Sequence, residues 1–193
     1  MKQLLTLLFS MAFLWQPVTS LAQDTTAMAK AKVRSNKKMR MEEHKMKGET
    51  ATSYPYAAEY SSRFKIGNQE YSRMILQLWK DWDNNQLDLH NDYFSDTLTF
   101  QAPTGEVIHG KDKFTASGRQ QRDMFSNVKS SVEAWVPIRS MDKNQDWVAV
   151  WGREEDTGKD GKVSTNMIHE IWGFNKDGKI VFYRQYTAAP PKE

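Results

Sequence analysis

The chain ends in a run of strand-length segments cut by turn clusters, and no other feature constrains its fold as much. Residues 128–141, 147–156, 162–174 and 179–187 are rich in β-branched and aromatic side chains, and "DKNQD", "DTGKDG" and "NKDG" separate them. The last pair is the most explicit. In "HEIWGFNKDGKIVFYRQY" (residues 169–186), Gly178 suits the left-handed position of a three-residue loop, Lys176-Asp177-Gly178, which sets Asn175 opposite Lys179. Counting outward pairs Phe174 with Ile180, Trp172 with Phe182, Glu170 with Arg184 and Ile168 with Tyr186 on one face. The other face then pairs Gly173 with Val181, Ile171 with Tyr183 and His169 with Gln185. The opposite charges of Glu170 and Arg184 favour this register. A slip of one residue would exchange the faces.

Helical patterns precede these strands. Tyr71, Ile75, Leu78, Trp79 and Trp82 recur at helical spacing, with Asn68 as the expected N-cap and Asn84-Asn85 as the end. A short helical turn is expected at residues 90–94, a strand at "TLTFQAP", a shorter strand in "PTGEVIHG" and a second helix in "KDKFTASGRQQRDMFS". Helices followed by antiparallel strands predict an α+β domain with the helices on one face of a curved sheet.

The first 66 residues read differently. Lys2 precedes the apolar run "LLTLLFSMAFLW", which is too short to span a bilayer, and Ser20-Leu21-Ala22 places small residues at a cleavage site. A signal peptide over residues 1–22 is expected, cleaved near Ala22, with a mature chain that is periplasmic or extracellular. Residues 24–66 carry ten Lys and Arg against five Asp and Glu, a net +5, while residues 67–193 carry −3. Residues 23–66 therefore read as a basic, largely disordered linker, and residues 67–193 as the folded domain. Residues 27–49 are the part suited to an anionic envelope surface. Nucleic acid is not an expected partner of an exported chain. With no cysteine, disulfides and thiol chemistry are excluded, so the domain must rest on its hydrophobic core.

Motif searches return little. "DTGKDG" offers Asp156 and Asp160, but Gly158 and Met167 stand where a calcium loop needs its third and twelfth ligands. His90, His109 and His169 have no ligand spacing, so no metal is expected. No phosphate loop or nucleophile elbow is present, and no cofactor is expected.

The stretches "WKDWDNNQLDLHNDYFSDTLTFQAPTGEVIHGKDKF" and "IHEIWGFNKDGKIVFYRQY" give the chain a family likeness. It resembles the nuclear transport factor 2-like superfamily, and within it the SnoaL-like relatives of polyketide cyclases, over residues 71–188. The resemblance implies a cone-shaped α+β domain. Three helices would close over a strongly curved antiparallel sheet and leave a mostly apolar pocket. Many members are homodimers.

The likeness also implies a site. SnoaL-like cyclases typically end their last strand Gly-Lys-Ile-Val-Glu-His-Trp-Asp, with the Asp as general acid/base helped by a His on the preceding strand. Here Gln185 stands at that Asp, Tyr183 at the neighbouring His, and His169 at the preceding-strand His. In ketosteroid isomerases an Asp precedes the first-strand Pro; here that residue is Ala102, and Leu78 stands where a Tyr is expected. Gln cannot take up a proton at neutral pH.

The expectation is therefore a domain that binds a small, mostly apolar molecule without the family's carboxylate. His169, Tyr183, Gln185, Trp135 and Trp151 are the expected ligand contacts, and the His169/Tyr183/Gln185 face is taken as concave from the resemblance. One alternative is an isomerase, cyclase or hydrolase using His169 as catalytic base. Another is an envelope interaction module docked by its basic arm. A homodimer would pack Trp172, Phe182 and Tyr186 of the opposite face.

Overall fold

The computed structural model describes residues 54–192 and, before them, residue 33 alone. The expected leader, its cleavage site and nearly all of the basic arm lie outside the described residues. Seven strands make one sheet: β1 (Phe64–Ile66), β2 (Phe94–Gln101), β3 (Val107–His109), β4 (Phe125–Ser140), β5 (Asp146–Gly158), β6 (Val163–Phe174) and β7 (Ile180–Ala188). Their order is β1-β4-β5-β6-β7-β2-β3. Every pairing is antiparallel except β2 with β7, which is parallel. Two helices, α1 (Gln69–Asp83) and α2 (Lys111–Arg122), pack on the sheet, and a single 3-10 turn covers Asn91–Tyr93. This is the expected α+β architecture, with two α-helices among the described residues where the resemblance implied three.

Local chemistry explains the helix positions. The Asn68 side chain accepts from the Glu70 amide at 3.0 Å and so caps α1, as its sequence position suggests. The apolar stripe of α1 buries Ile75 and Trp79, and Tyr71 stacks on Phe174 with centroids 4.1 Å apart. The chain enters α2 through Gly110 at φ 95°, a left-handed position that favours glycine. Phe114 of α2 then packs against Phe94 and Phe100 of β2.

β1 lies within the stretch expected to be linker. Phe64, Lys65 and Ile66 pair with Ser140, Arg139 and Ile138 of β4, so the sheet begins before residue 67. A three-residue edge strand gives no alternation long enough to read.

The β6–β7 hairpin departs from the expected register. Its turn forms as expected: Gly178 has φ 74°, the Asn175 amide donates to the Lys179 carbonyl, and Phe174 opposes Ile180. Between Gly173 and Phe174 the register then shifts, because Val181 is an extra residue on β7. Beyond this bulge Gly173 opposes Phe182, Trp172 opposes Tyr183, Glu170 opposes Gln185 and His169 opposes Tyr186. Each later pair is thus one residue off, and the faces of β7 are exchanged relative to the count from the turn.

Candidate functional site

The helices cover one face of the sheet, and that face changes character along its length. On β5 the inward residues are Val148, Val150, Gly152, Glu154 and Asp156, opposite Trp172, Glu170, Ile168, Asn166 and Ser164 of β6. The apolar end is the core. The acidic end opens into a cavity of about 140 Å³, bounded by α1, α2, β2 and β4–β7. Gly152 makes room for α1: a Cβ there would lie 2.8 Å from the Trp79 ring and 2.5 Å from the Ser131 carbonyl oxygen.

Glu170 forms the polar floor. It is buried, and four donors converge on its carboxylate. Trp79 Nε1 (2.5 Å) and Trp172 Nε1 (3.0 Å) donate to Oε2; Tyr183 Oη (2.6 Å) and Gln185 Nε2 (3.0 Å) donate to Oε1. Burial pushes the carboxyl up, and the four hydrogen bonds oppose that shift. Neither indole can accept a proton-borne bond in return. The geometry therefore suits the carboxylate form. Tyr183 is buried with it, and burial beside Glu170 raises its phenol well above the usual value.

A second acid lies on β5. Burial pushes Glu154 up to about 8, with further increments from Asp156 and Glu170. Burial also raises Asp156, while Glu154, Asn166 and Arg122 oppose the rise. Asp156 is 3% exposed, and its Oδ1 has no hydrogen-bond partner unless Glu154 is protonated and donates to it. A proton shared by the two carboxyls accounts for both facts. The Trp82 indole N–H approaches Glu154 without ordinary hydrogen-bond geometry, and Ser130 Oγ beside it is also unpartnered. A third acid, Asp81 of α1, lines the same cavity, held by Gln77 (2.9 Å) and by His90 Nδ1 (2.6 Å).

The expected site residues divide between the two faces. Tyr183 and Gln185 line the cavity. His169 lies on the outer face, stacked between Trp151 (centroids 4.8 Å apart, planes 8° apart) and Tyr186 (5.7 Å, 23°). Burial lowers its pKa, and its Nε2 is unpartnered. Trp151 shares that outer face, and Trp135 is half exposed; neither lines the cavity. Ala102 follows β2 in a turn and is also outside the lining. Glu170 does not pair with Arg184, whose guanidinium instead bonds Gln101 and lies over the Phe182 ring. Trp172, expected on a subunit-facing surface, is a cavity wall. The Val181 bulge turns Tyr183 and Gln185 to the face of Trp172 and Glu170 and leaves His169 on the other.

The expectation named the absence of the family's carboxylate alone, whose positions the resemblance puts at Gln185 and Ala102. Glu170, Glu154 and Asp81 bring acids to the cavity from other positions. For Glu170 and Glu154 a signal was present. Each alternates with residues of an otherwise apolar face, Ile168 and Trp172 in one case, Val150 and Gly152 in the other. A charge in such a row is either a misread face or a functional group.

Known structures share this fold. An NTF2-like protein of unknown function from Exiguobacterium sp. 255-15 superposes with a TM-score of 0.51 at 23% identity, covering 60% of this chain and 98% of that one. An LEH-like epoxide hydrolase from M. tuberculosis does so with 0.51 at 13% identity, covering 62% and 84%. AusH from Aspergillus nidulans gives 0.52 at 13%, covering 67% and 90%. At these identities the likeness is one of fold. No curated protein matches the sequence. The model of the SnoaL-like domain matches residues 75–183, more than half of the chain. By this match the chain belongs to the SnoaL-like domain family, and its fold is that of the NTF2-like structures.

Proposed function

We propose that the domain binds a small, largely apolar molecule in the cavity beneath α1 and α2. The observation that carries this reading is an aromatic-walled cavity of about 140 Å³ whose acids are Asp81, Glu154 and Glu170. A space of that size takes roughly ten heavy atoms, judged by the volume one water needs. Largely apolar walls with a few placed polar groups are what small-molecule sites have in common. Gly118→Leu tests it. Gly118 lines the cavity from α2, and a Cβ there meets only Leu87, at 3.7 Å. The added side chain should fill the space without harming the helix. Native mass spectrometry of the protein from its own source should show a retained small molecule that the variant lacks. A molecule retained equally by both would place the binding elsewhere.

A second reading is acid–base catalysis. Glu154, raised to about 8, holds a proton near neutrality beside the cavity, as a general acid must. In this reading Glu154 takes the part given to His169 in the sequence-based alternative, and Glu154→Gln would abolish turnover while the domain stays folded.

The proposal extends to the setting. The leader pattern in residues 1–22 supports export, and the excess of Lys and Arg in residues 27–49 supports contact with an anionic envelope surface. Self-association through the outer face is supported by Trp151, Tyr186 and Phe182, which no helix covers.

A further inference from the structure

The cavity's charge is one-sided. Three acids reach it from three elements: Asp81 from α1, Glu154 from β5 and Glu170 from β6. Among the described residues no Lys, Arg or His lines it. The nearby basic side chains stand behind the wall. Arg122, itself buried, spends its guanidinium on the backbone carbonyls of Trp82 (2.8 Å), Asp83 (3.1 Å) and Phe125 (3.2 Å). His90 backs Asp81 from outside the lining. Seven of the nineteen lining side chains are aromatic, so the surface around the acids offers ring faces rather than solvent.

We infer that the molecule this cavity takes is a cation, an ammonium group of any degree of substitution carried on a compact apolar body. This deepens the binding reading above and rests on it. An anion would meet three carboxyl groups in a space of low dielectric, where like charges repel strongly. A neutral apolar molecule would fill the space but leave the acids without a counter-charge inside the cavity. An ammonium group supplies the missing positive charge. Its alkyl substituents pack on indole and phenyl faces, which attract cations.

The shared proton is the stand-in for that charge. Glu154 faces Asp156 on its own strand, Glu170 of β6, Tyr183 of β7 and Asp81 of α1, with Arg122 of α2 on the Asp156 side. Of these only Arg122 is cationic, and its hydrogen bonds are taken. A bound ammonium would lower the Glu154 carboxyl again, so the pair would release its proton as the ligand enters. Affinity should then rise with pH up to about 8 and level off above it.

Phenyltrimethylammonium and tert-butylbenzene test this. Both have ten heavy atoms and the same shape, and the cation has no proton of its own. Titration calorimetry at pH 7, in buffers of different ionisation heat, would read affinity and proton release together. The expected result is a preference for the cation of about tenfold or more, with up to one proton released to buffer. In Glu154→Gln, an isosteric change, both the release and most of the preference should be lost. Equal affinity for tert-butylbenzene would overturn the cationic assignment and leave the binding reading standing. Failure of both probes to bind at millimolar concentration would overturn the two readings together. Cation binding without proton release in the native protein would remove Glu154 from the account.

Discussion

Glu170 shows how a single side chain can organise a domain interior. It is the common acceptor for donors from α1, β6 and β7, so its loss would strand several buried N–H and O–H groups at once. Glu170→Gln keeps the shape but turns one acceptor oxygen into a donor. It should cost about 2–4 kcal/mol in urea unfolding. Tyr183→Phe removes one donor and leaves the other three, and should cost only about 1 kcal/mol. Comparable losses in the two variants would mean that the cluster is not centred on Glu170. Glu154 behaves in the opposite sense. Its folded pKa of about 8 lies above the ordinary 4.5, so the folded state binds a proton that the unfolded chain has released. Its contribution to stability is complete below pH 4.5 and is lost as pH rises to about 8. In Glu154→Gln this decline should disappear, leaving the variant on the order of 3 kcal/mol more stable than the native protein at pH 8.5. Unfolding midpoints across pH 5–9 would check the sign directly.

At the scale of elements, the sequence was legible where pattern and turn chemistry agree. α1 with its Asn68 cap, the run of long strands and the Asn175–Lys179 turn all follow from spacing that needs no distant partner. The register of β7 does not. One inserted residue, Val181, changes which residues face inward, and nothing at Val181 itself marks the bulge because valine is an ordinary strand residue. The site was therefore half visible. Tyr183 and Gln185 were found through the family likeness, while Glu170 and His169 were assigned to each other's faces. β1 was missed because an exposed three-residue edge strand leaves no periodicity. Gly152 is a different kind of element-level feature, the gap in β5 that admits Trp79. Gly152→Ala would press a methyl group against both backbone and ring. It should destabilise the domain by about 2–3 kcal/mol, and with it shift the fluorescence of Trp79. An unchanged midpoint would show that α1 can move away at little cost.

For the whole molecule, the two sheet faces have different tasks. The inner face is closed by helices around a charged cavity. The outer face presents Trp151, His169 and Tyr186 stacked on one another, with Trp147 and Phe182 further along. If copies associate there, Tyr186→Glu should shift sedimentation at tens of micromolar from a dimer toward a monomer without changing far-UV circular dichroism. A native protein that sediments as a monomer would exclude self-association. The parallel contact of β2 with β7 has a consequence for time rather than for shape. It joins Gln101 to Arg184, 83 residues apart. Closing so long a loop comes before any reward from the contact, which places folding in the millisecond-to-second range typical of such topologies. Until β7 arrives, β6 and β2 each keep an unpaired edge, so the sheet cannot close before all of its strands are present. The sheet is thus held open by its own topology, and the nine residues of β7 act as the latch.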